Sequence, residues 1–427
     1  MNANESLTNL AKATLRKNDL GGYTVPTHGL YPFQWNWDSA IVALGWLTFD
    51  ETRAWEEVEW LLKGQWANGM VPHIVFHENA DSYFPGPDVW GVTPEATGNP
   101  VIGTSISQPP VLATVVRHLY EKAENKTQAE QKVRAMLPQL LRYHLWWYQQ
   151  RDPENTGLVV SYHPWESGMD NSPAWDKALA AVPPVEWEYE RRDTGHINAN
   201  ERPHKAEYDR FLYLVDLFKK LNFDESKIYQ QSPYQINDIG IIGILHRATK
   251  DLLSLCKQLN EDNEDTQFLA SRVPLTEQAV SKLWNADTST FHSWNKLTGE
   301  LCDYRTTGGL MALFGGLANQ EQSEQMQQLV EQWSKHNAYA VSSTHPEEAI
   351  YEPQRYWRGP IWLHINWMIS EGLADYGFAE LAEKIRQSSQ DLIINSGYNE
   401  SYHAEQGICS GGGEFSWTAA IALYWLL

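Results

Sequence analysis

The chain has 427 residues, with 54 acidic and 33 basic side chains and a formal net charge of −21. That balance excludes nucleic acid and an anionic membrane surface as expected partners. The three cysteines, Cys256, Cys302 and Cys409, are far apart and odd in number, which argues against a disulfide framework and fits a reducing, cytoplasmic compartment.

The first residues are polar and charged, without the apolar core of a signal peptide. No uninterrupted apolar stretch is long enough to span a bilayer. Residues 4–18 are predicted as a polar amphipathic helix. A Gly-, Pro- and aromatic-rich loop follows, and from Asp38 the sequence becomes helical, with Asp38 or Ser39 as the expected cap. Ala40–Leu47 carries no charge, so this helix is expected to be buried. The next segment, ETRAWEEVEWLLKGQW, puts Trp55, Val58, Leu62 and Trp66 on one face and Glu56, Glu57, Glu59 and Lys63 mostly on the other, as an outer helix would. A buried helix followed by an amphipathic one is an αα-hairpin.

The same alternation recurs. Residues 104–122 run from a polar loop into an apolar helix, and 127–150 form a more polar partner. Residues 206–222 and 236–260 make another pair. Residues 274–285, 308–314 and 320–335 are further helical pieces. Residues 358–376 are buried in character and 378–395 amphipathic, with Gly377 as the break. Strand signals are weak, as at Gly157–Tyr162. No Pro/Ser-rich linker divides the chain. The fold class expected is all-α, a single (α/α)6 barrel over residues 1–427, closed by the apolar C-terminal helix and carrying long active-site loops. Two irregular stretches, 68–103 and 161–203, are long for loops in a compact domain. They carry Tyr83, Phe84, Trp90, Trp165, Trp175, Trp187 and Tyr189, and disordered segments are poor in aromatics. They are read as ordered pocket walls, with 161–235 a cap-like insertion.

There are 20 Trp and 20 Tyr against 12 Phe. Side chains with a flat apolar face and a polar tip suit sugars, which present C–H faces and hydroxyl edges. Four motifs, each expected where a loop meets an inner helix, pair carboxylates or Arg with Trp or Tyr. They are QWNWDSA (34–40), WESGMDNSPAWD (165–176), YWRGPIW (356–362) and the terminal NESYHAEQGICSGGGEFSW. Cleaving a glycosidic bond takes two carboxyl groups, one to protonate the leaving oxygen and one to activate water or attack the sugar. Glu166, Asp170, Glu400 and Glu414 are the candidates, with Asp38 able to hold sugar hydroxyls.

These motifs carry a resemblance. QWNWDSAIVALGW, ESGMDNSP, YWRGPIW and the Glu-x-Tyr, Gly-rich and FSWTAA segments resemble glycoside hydrolase family 63 and the related trehalases, over residues 31–427. The resemblance implies an (α/α)6 fold and an inverting α-glycosidase, with Asp170 as general acid, held in the segment 161–235, and Glu400 as general base. Glu414 is the rival base. Tyr31, Trp37, Asp38, Tyr83, Gln108, Trp165, Glu166, Tyr356, Trp357, Arg358, Trp362 and Glu414 would bind substrate. Trp165 and Trp175 are expected to desolvate Asp170. The compact chain resembles those members that hydrolyse mannosylglycerate and glucosylglycerate; oligosaccharide α-glucosidases and trehalase-like enzymes are the alternatives. Tyr83 and the backbone near Gly86 would clamp a carboxylate aglycone, with Arg358 or helix N-terminal amides assisting.

Two other classes stay open: a sugar epimerase, for which His163 and His403 would have to pair at the barrel mouth, and a non-catalytic carbohydrate-binding protein. His73 and His77 lack the adjacent Glu of a zincin pattern and are expected to pack or hydrogen-bond. EDNED (261–265) lacks EF-hand spacing and is expected to be a solvated loop. With no P-loop or dinucleotide fingerprint, no cofactor or metal is expected. The partner is a small-molecule glycoside, and a homo-oligomer is compatible with the sequence.

Overall fold

The computed structural model describes residues 3–78, 82–192, 198–339 and 341–427. Parts of both long loops, residues 79–81 (including Asp81 of the DSYFPGPDVW loop) and 193–197, lie outside the described residues.

Twelve helices build the body: α1 (Ala3–Asn18), α2 (Asn36–Leu47), α3 (Glu51–Leu62), α4 (Leu112–Lys122), α5 (Lys126–Gln150), α6 (Ile239–Gln258), α7 (Glu264–Ala279), α8 (Thr307–Phe314), α9 (Gln320–His336), α10 (Leu363–Asp375), α11 (Ala379–Ser396) and α12 (Ser416–Ile421). The even-numbered helices touch in a closed ring, α2 to α4, α6, α8, α10, α12 and back to α2. This is the helical barrel expected from the alternation. Their sequences explain their place: α2 is buried from Asn36 to Trp46, and all of α8 (TGGLMALF) and α12 (SWTAAI) is buried. A helix with no polar face is stable only when surrounded. Small residues bring the ring helices close. A Cβ on Gly45 of α2 would lie 2.5 Å from Ala420 Cα of α12, and one on Gly243 of α6 would lie 2.4 Å from Met311 O of α8.

Helices α3, α5, α7 and α11 pack outside the inner helix that precedes each of them, and α9 reaches α8 through the short strand Thr290–Phe291. The outer partner of α12 is α1, from the other end of the chain. The barrel is therefore closed twice by the termini. Beyond α12 the chain continues as a π-helical turn, Ala422–Leu426.

Several boundaries differ from expectation. Helix α2 starts at Asn36, so Asp38 lies in its first turn and caps nothing. Glu57 of α3 is not on the outer face. It is fully buried and accepts from Arg53, Ser39 and the Thr24 hydroxyl, since a charge enters a core when it is paired. The helix expected over 274–285 is α7, ten residues earlier; Pro274, which would suit a first turn, lies inside it. EDNED is irregular only to Asn263, whose side chain caps α7 by accepting from Thr266 N; Glu264 and Asp265 open the helix. Helix α10 begins at Leu363 rather than 358, after the turn Tyr356–Arg358 and Pro360. Gly377 does form the break before α11, at φ +88°. Among the described residues no helix is long and apolar enough to cross a membrane.

Candidate active site

One cavity opens at the end of the ring where the N-termini of α2 and α12 lie. Asp38, Asp170 and Glu400 line it together with Tyr31, Trp37, Tyr83, Gln108, Trp165, Tyr356 and Trp357. Ten of the fourteen residues singled out in the sequence thus meet in one place, from positions up to 369 residues apart.

Glu400 sits in the strand Asn399–Tyr402, which pairs antiparallel with Cys409–Gly413, and the register shifts between Asn399 and Ser401. The first turn of α12 grips this strand: Trp417 Nε1 donates to Glu400 O at 3.1 Å, and Thr418 Oγ1 to Asn399 O at 2.6 Å. The carboxylate, only 2% exposed, accepts from Tyr31 Oη at 2.9 Å, Gly412 N at 2.9 Å and Arg202 Nη1 at 3.3 Å. The Gly-rich loop is explained by this approach. Gly411 has φ +77°, and a Cβ there would stand 2.3 Å from Glu400 Oε2.

Asp170 lies in the loop after α5, between two fastened neighbours. Met169 O accepts from Trp175 Nε1 at 2.9 Å, and Asn171 Oδ1 accepts from Trp357 N at 2.9 Å. Its motif does not precede an inner helix, unlike the other three; it folds as two 3₁₀ turns, Pro164–Ser167 and Pro173–Trp175. Gly168, at φ +67°, lets this loop come within 2.6 Å (from a Cβ) of the Trp37 ring. Asp38 is 4% exposed. Burial holds its carboxyl well above the ordinary range, with the negative charges of Glu400 and, more weakly, Asp170 adding to the effect.

The walls are aromatic. Trp37 approaches Trp357 at 6.1 Å between centroids, and Gln108 Oε1 accepts from Trp37 N at 3.2 Å. Trp165 stacks on His73, 6.1 Å away with 15° between the planes. Tyr83 meets Trp35 edge-on at 5.2 Å. Tyr356 is held at φ +40°, a conformation costing a bulky residue about 1–3 kcal/mol; it places the ring 4.2 Å beneath the Arg202 guanidinium.

Four predicted residues are elsewhere. Glu166 faces away from the cavity and is fully buried. It accepts from Arg151 through both oxygens and from Tyr162 N and Ser107 N. Arg358 pairs with Asp176 at 2.8 and 2.9 Å and does not line the cavity, because side chains two apart in its turn diverge and Tyr356 takes the inner direction. Trp362 backs the wall, stacked on Trp357 at 3.9 Å. Glu414 precedes α12, is 58% exposed and pairs with Lys17 of α1; its charge is solvated outside the cavity.

The cation in the cavity is instead Arg202, which the sequence reading missed. It lies in ERP, at the end of the second long loop, and nothing local separates it from Arg191 or Arg192. His73, Tyr208, Phe415 and Trp417 also line the cavity unforeseen, and Phe84 does so from a loop expected to form a pocket wall. The epimerase arrangement is not present: His163 is buried, accepts from Trp165 N and donates to Phe211 O, and His403 accepts from Glu405 N. Neither lines the cavity. His77 is hydrogen-bonded to Gln34 at 2.7 Å, and among the described residues no cluster could hold a metal ion.

Carboxyls in an aromatic cavity that also holds a guanidinium have the chemistry to exchange protons with a polar ligand and to pair with an anionic group. A family model for the mannosylglycerate hydrolase MGH1-like glycoside hydrolase domain matches residues 31–418. The chain belongs to that family. As a member of the MGH1-like family, it is a glycoside hydrolase. A mannosylglycerate hydrolase of Thermus thermophilus is 46% identical, over 97% of this chain and 99% of its own. A glucosylglycerate hydrolase of Mycolicibacterium hassiacum is 33% identical over 96% of each. The crystal structure of a family 63 mannosylglycerate hydrolase from T. thermophilus, in complex with Tris and D-glycerate, superposes with a TM-score of 0.94 at 45% identity, covering 98% of this chain and 99% of that one.

Proposed function

We propose that this MGH1-like hydrolase cleaves the α-glycosidic bond of mannosylglycerate or glucosylglycerate with inversion. The observation that carries the reading is the placement of Arg202 beside Glu400 in a cavity that also holds Asp170. A sugar bound against Trp37, Trp165 and Trp357 would keep its hydroxyl edges for Asp38 and Gln108. The glycerate carboxylate would take Arg202 as its partner, the role expected at first of Arg358, with Tyr83 alongside. The resemblance to glycerate-glycoside hydrolases supports the same aglycone.

Asp170 gives its proton to the leaving glycerate oxygen while Glu400 takes one from a water that attacks the anomeric carbon from the other face. An inverting pair leaves room for that water, with the carboxyls ~6.5–9.5 Å apart. The bond broken is C1–O, the bond formed is C1–OH, and the products are the free sugar of inverted anomeric configuration and glycerate. The segment 161–235 then acts as a cap, since it brings Asp170, Arg202, Pro203 and Tyr208 to the cavity.

The test is hydrolysis of mannosylglycerate, glucosylglycerate, trehalose, kojibiose and nigerose, with the first-formed anomer assigned by NMR. A β-sugar released from either glycerate glycoside is expected. Faster turnover of a disaccharide would sink the aglycone assignment. Asp170→Asn and Glu400→Gln should each lower kcat by about 10²–10⁴; full turnover by both would remove the mechanism.

A further inference from the structure

We propose that Glu201 is a positioning residue for Glu400, acting through the Gly411–Gly412 backbone; the inference rests on Glu400 being the general base. Glu201 ends the turn Ala199–Glu201 in the long loop before the helix Lys205–Lys220. Its Oε2 accepts from Gly411 N at 3.1 Å and its Oε1 from Gln354 Nε2 at 3.0 Å. The next amide along, Gly412 N, donates to Glu400 Oε2 at 2.9 Å. Two successive amides are thus held by two carboxylates from segments about 200 residues apart in the chain.

The need for such an anchor follows from the glycines. Gly411 is at φ +77° with Glu400 Oε2 2.3 Å from where its Cβ would be, so no side chain fits there. A run of three glycines has more conformations to lose than any other sequence. Left to itself, it would spend time in peptide orientations whose amides miss Glu400. Glu201 fixes the Gly411 amide, and Gly412 N is then aimed at the base. Gln354 anchors Glu201 in turn, and the Arg355–Glu207 ion pair at 2.5 Å fastens the first turn of the helix that follows this loop. Arg202, the next residue after Glu201, reaches Glu400 at 3.3 Å, so one short segment sets two of the base's donors. Glu201 does not itself line the cavity. Its removal should therefore change the rate of the chemical step more than substrate binding.

The experiment compares kcat and KM of the full chain with those of Glu201→Ala, Glu201→Gln and Glu400→Gln, on whichever glycerate glycoside is hydrolysed. Glu201→Ala should lower kcat about tenfold or more, because small misplacements of a catalytic group are costly, with KM within about threefold. Glu201→Gln should stay near the wild-type rate. Its amide oxygen can still accept from Gly411 N, and Gln354 can turn its own amide to match. Unchanged kcat in Glu201→Ala overturns the proposal, as does a raised KM with full kcat, which would mark a substrate contact. If Glu201→Ala does not fold, Glu201→Asp takes its place, and full kcat there overturns it equally. An inactive Glu400→Gln beside a fully active Glu201→Ala rejects only the positioning role; an active Glu400→Gln rejects the base assignment itself.

Discussion

Tyr31 donates its hydroxyl to Glu400 Oε1 at 2.9 Å and accepts from Arg202 Nη2 at 2.6 Å. A residue from the first loop of the chain therefore bridges Glu400 and Arg202, which also meet directly at 3.3 Å. Burial holds the Tyr31 hydroxyl well above its usual range, so it remains a neutral donor. Tyr31→Phe removes both contacts while keeping the ring against Trp35 and Phe415. A hydrogen bond to a charged group is worth ~1.5–3 kcal/mol. Steady-state kinetics should show kcat/KM reduced roughly 10–100-fold, with little change in the thermal midpoint.

Arg202→Ala should separate aglycone recognition from catalysis. With an anionic glycerate glycoside, KM should rise steeply, by about tenfold or more for a lost charge-assisted contact. With a neutral aglycone of similar size, KM should change little and the loss should be confined to kcat, through the contact of Arg202 with Glu400. Equal losses on both substrates would show that Arg202 serves Glu400 and not the aglycone.

Gly411→Ala introduces a methyl 2.3 Å from Glu400 Oε2 at a φ of +77°. Either the hairpin or the carboxylate must move. Activity should fall by more than about tenfold while circular dichroism stays that of the folded chain, since the hairpin lies outside the helical ring.

Glu166 should matter for folding. Arg151→Met leaves both of its buried partners, Glu166 and Glu225, without their counter-charge, a change worth about 3–5 kcal/mol, while Glu166→Gln, which leaves Arg151 its contact with Glu225, should cost less. Denaturant unfolding followed by Trp fluorescence should show a clear loss of midpoint. Replacing Arg151, Glu166 and Glu225 together with apolar residues of similar size should recover part of it. A Glu166 variant of full stability would contradict this structural role.

Asp38 gives a pH signature. Its carboxyl is held well above 3.8 by burial first and by Glu400 next. The folded chain thus binds this proton more tightly than the unfolded one. The resulting stabilisation is complete below the unfolded value and is lost as pH rises through the folded one. Asp38→Asn should raise the thermal midpoint near pH 7, with the gain shrinking below about pH 4, and should lower activity at every pH. A destabilised variant near pH 7 would show that the carboxylate is held by contacts stronger than its burial cost.

Much of the site was legible because carboxylates, Trp and Tyr recur together in short motifs, each of which survives as a local unit. QWNWDSA places Trp37 and Asp38 in the first turn of α2, and NESY places Glu400 in a strand. Motif membership did not give direction. Glu166 and Asp170 are four residues apart, yet one is sealed against Arg151 and the other lines the cavity. Arg358 and Tyr356 are two apart and diverge in the same way. Arg202 carried no local signal at all, because its partners Tyr31, Tyr356 and Glu400 come from three other regions of the chain.

By itself the sequence determined the alternation of buried and amphipathic helices, and hence the barrel. Side-chain hydrophobicity along a helix is a local property, and a helix without a polar face has only an interior to go to. It also gathered carboxylates, Trp and Tyr into the short motifs that meet in the cavity. Which carboxylates share the cavity, which cation joins them there, and that the first helix is the outer partner of the last were decided only by tertiary structure. Those are relations between residues hundreds of positions apart. They arise when the ring closes, and burial then fixes which charges are paired away and which remain facing the cavity.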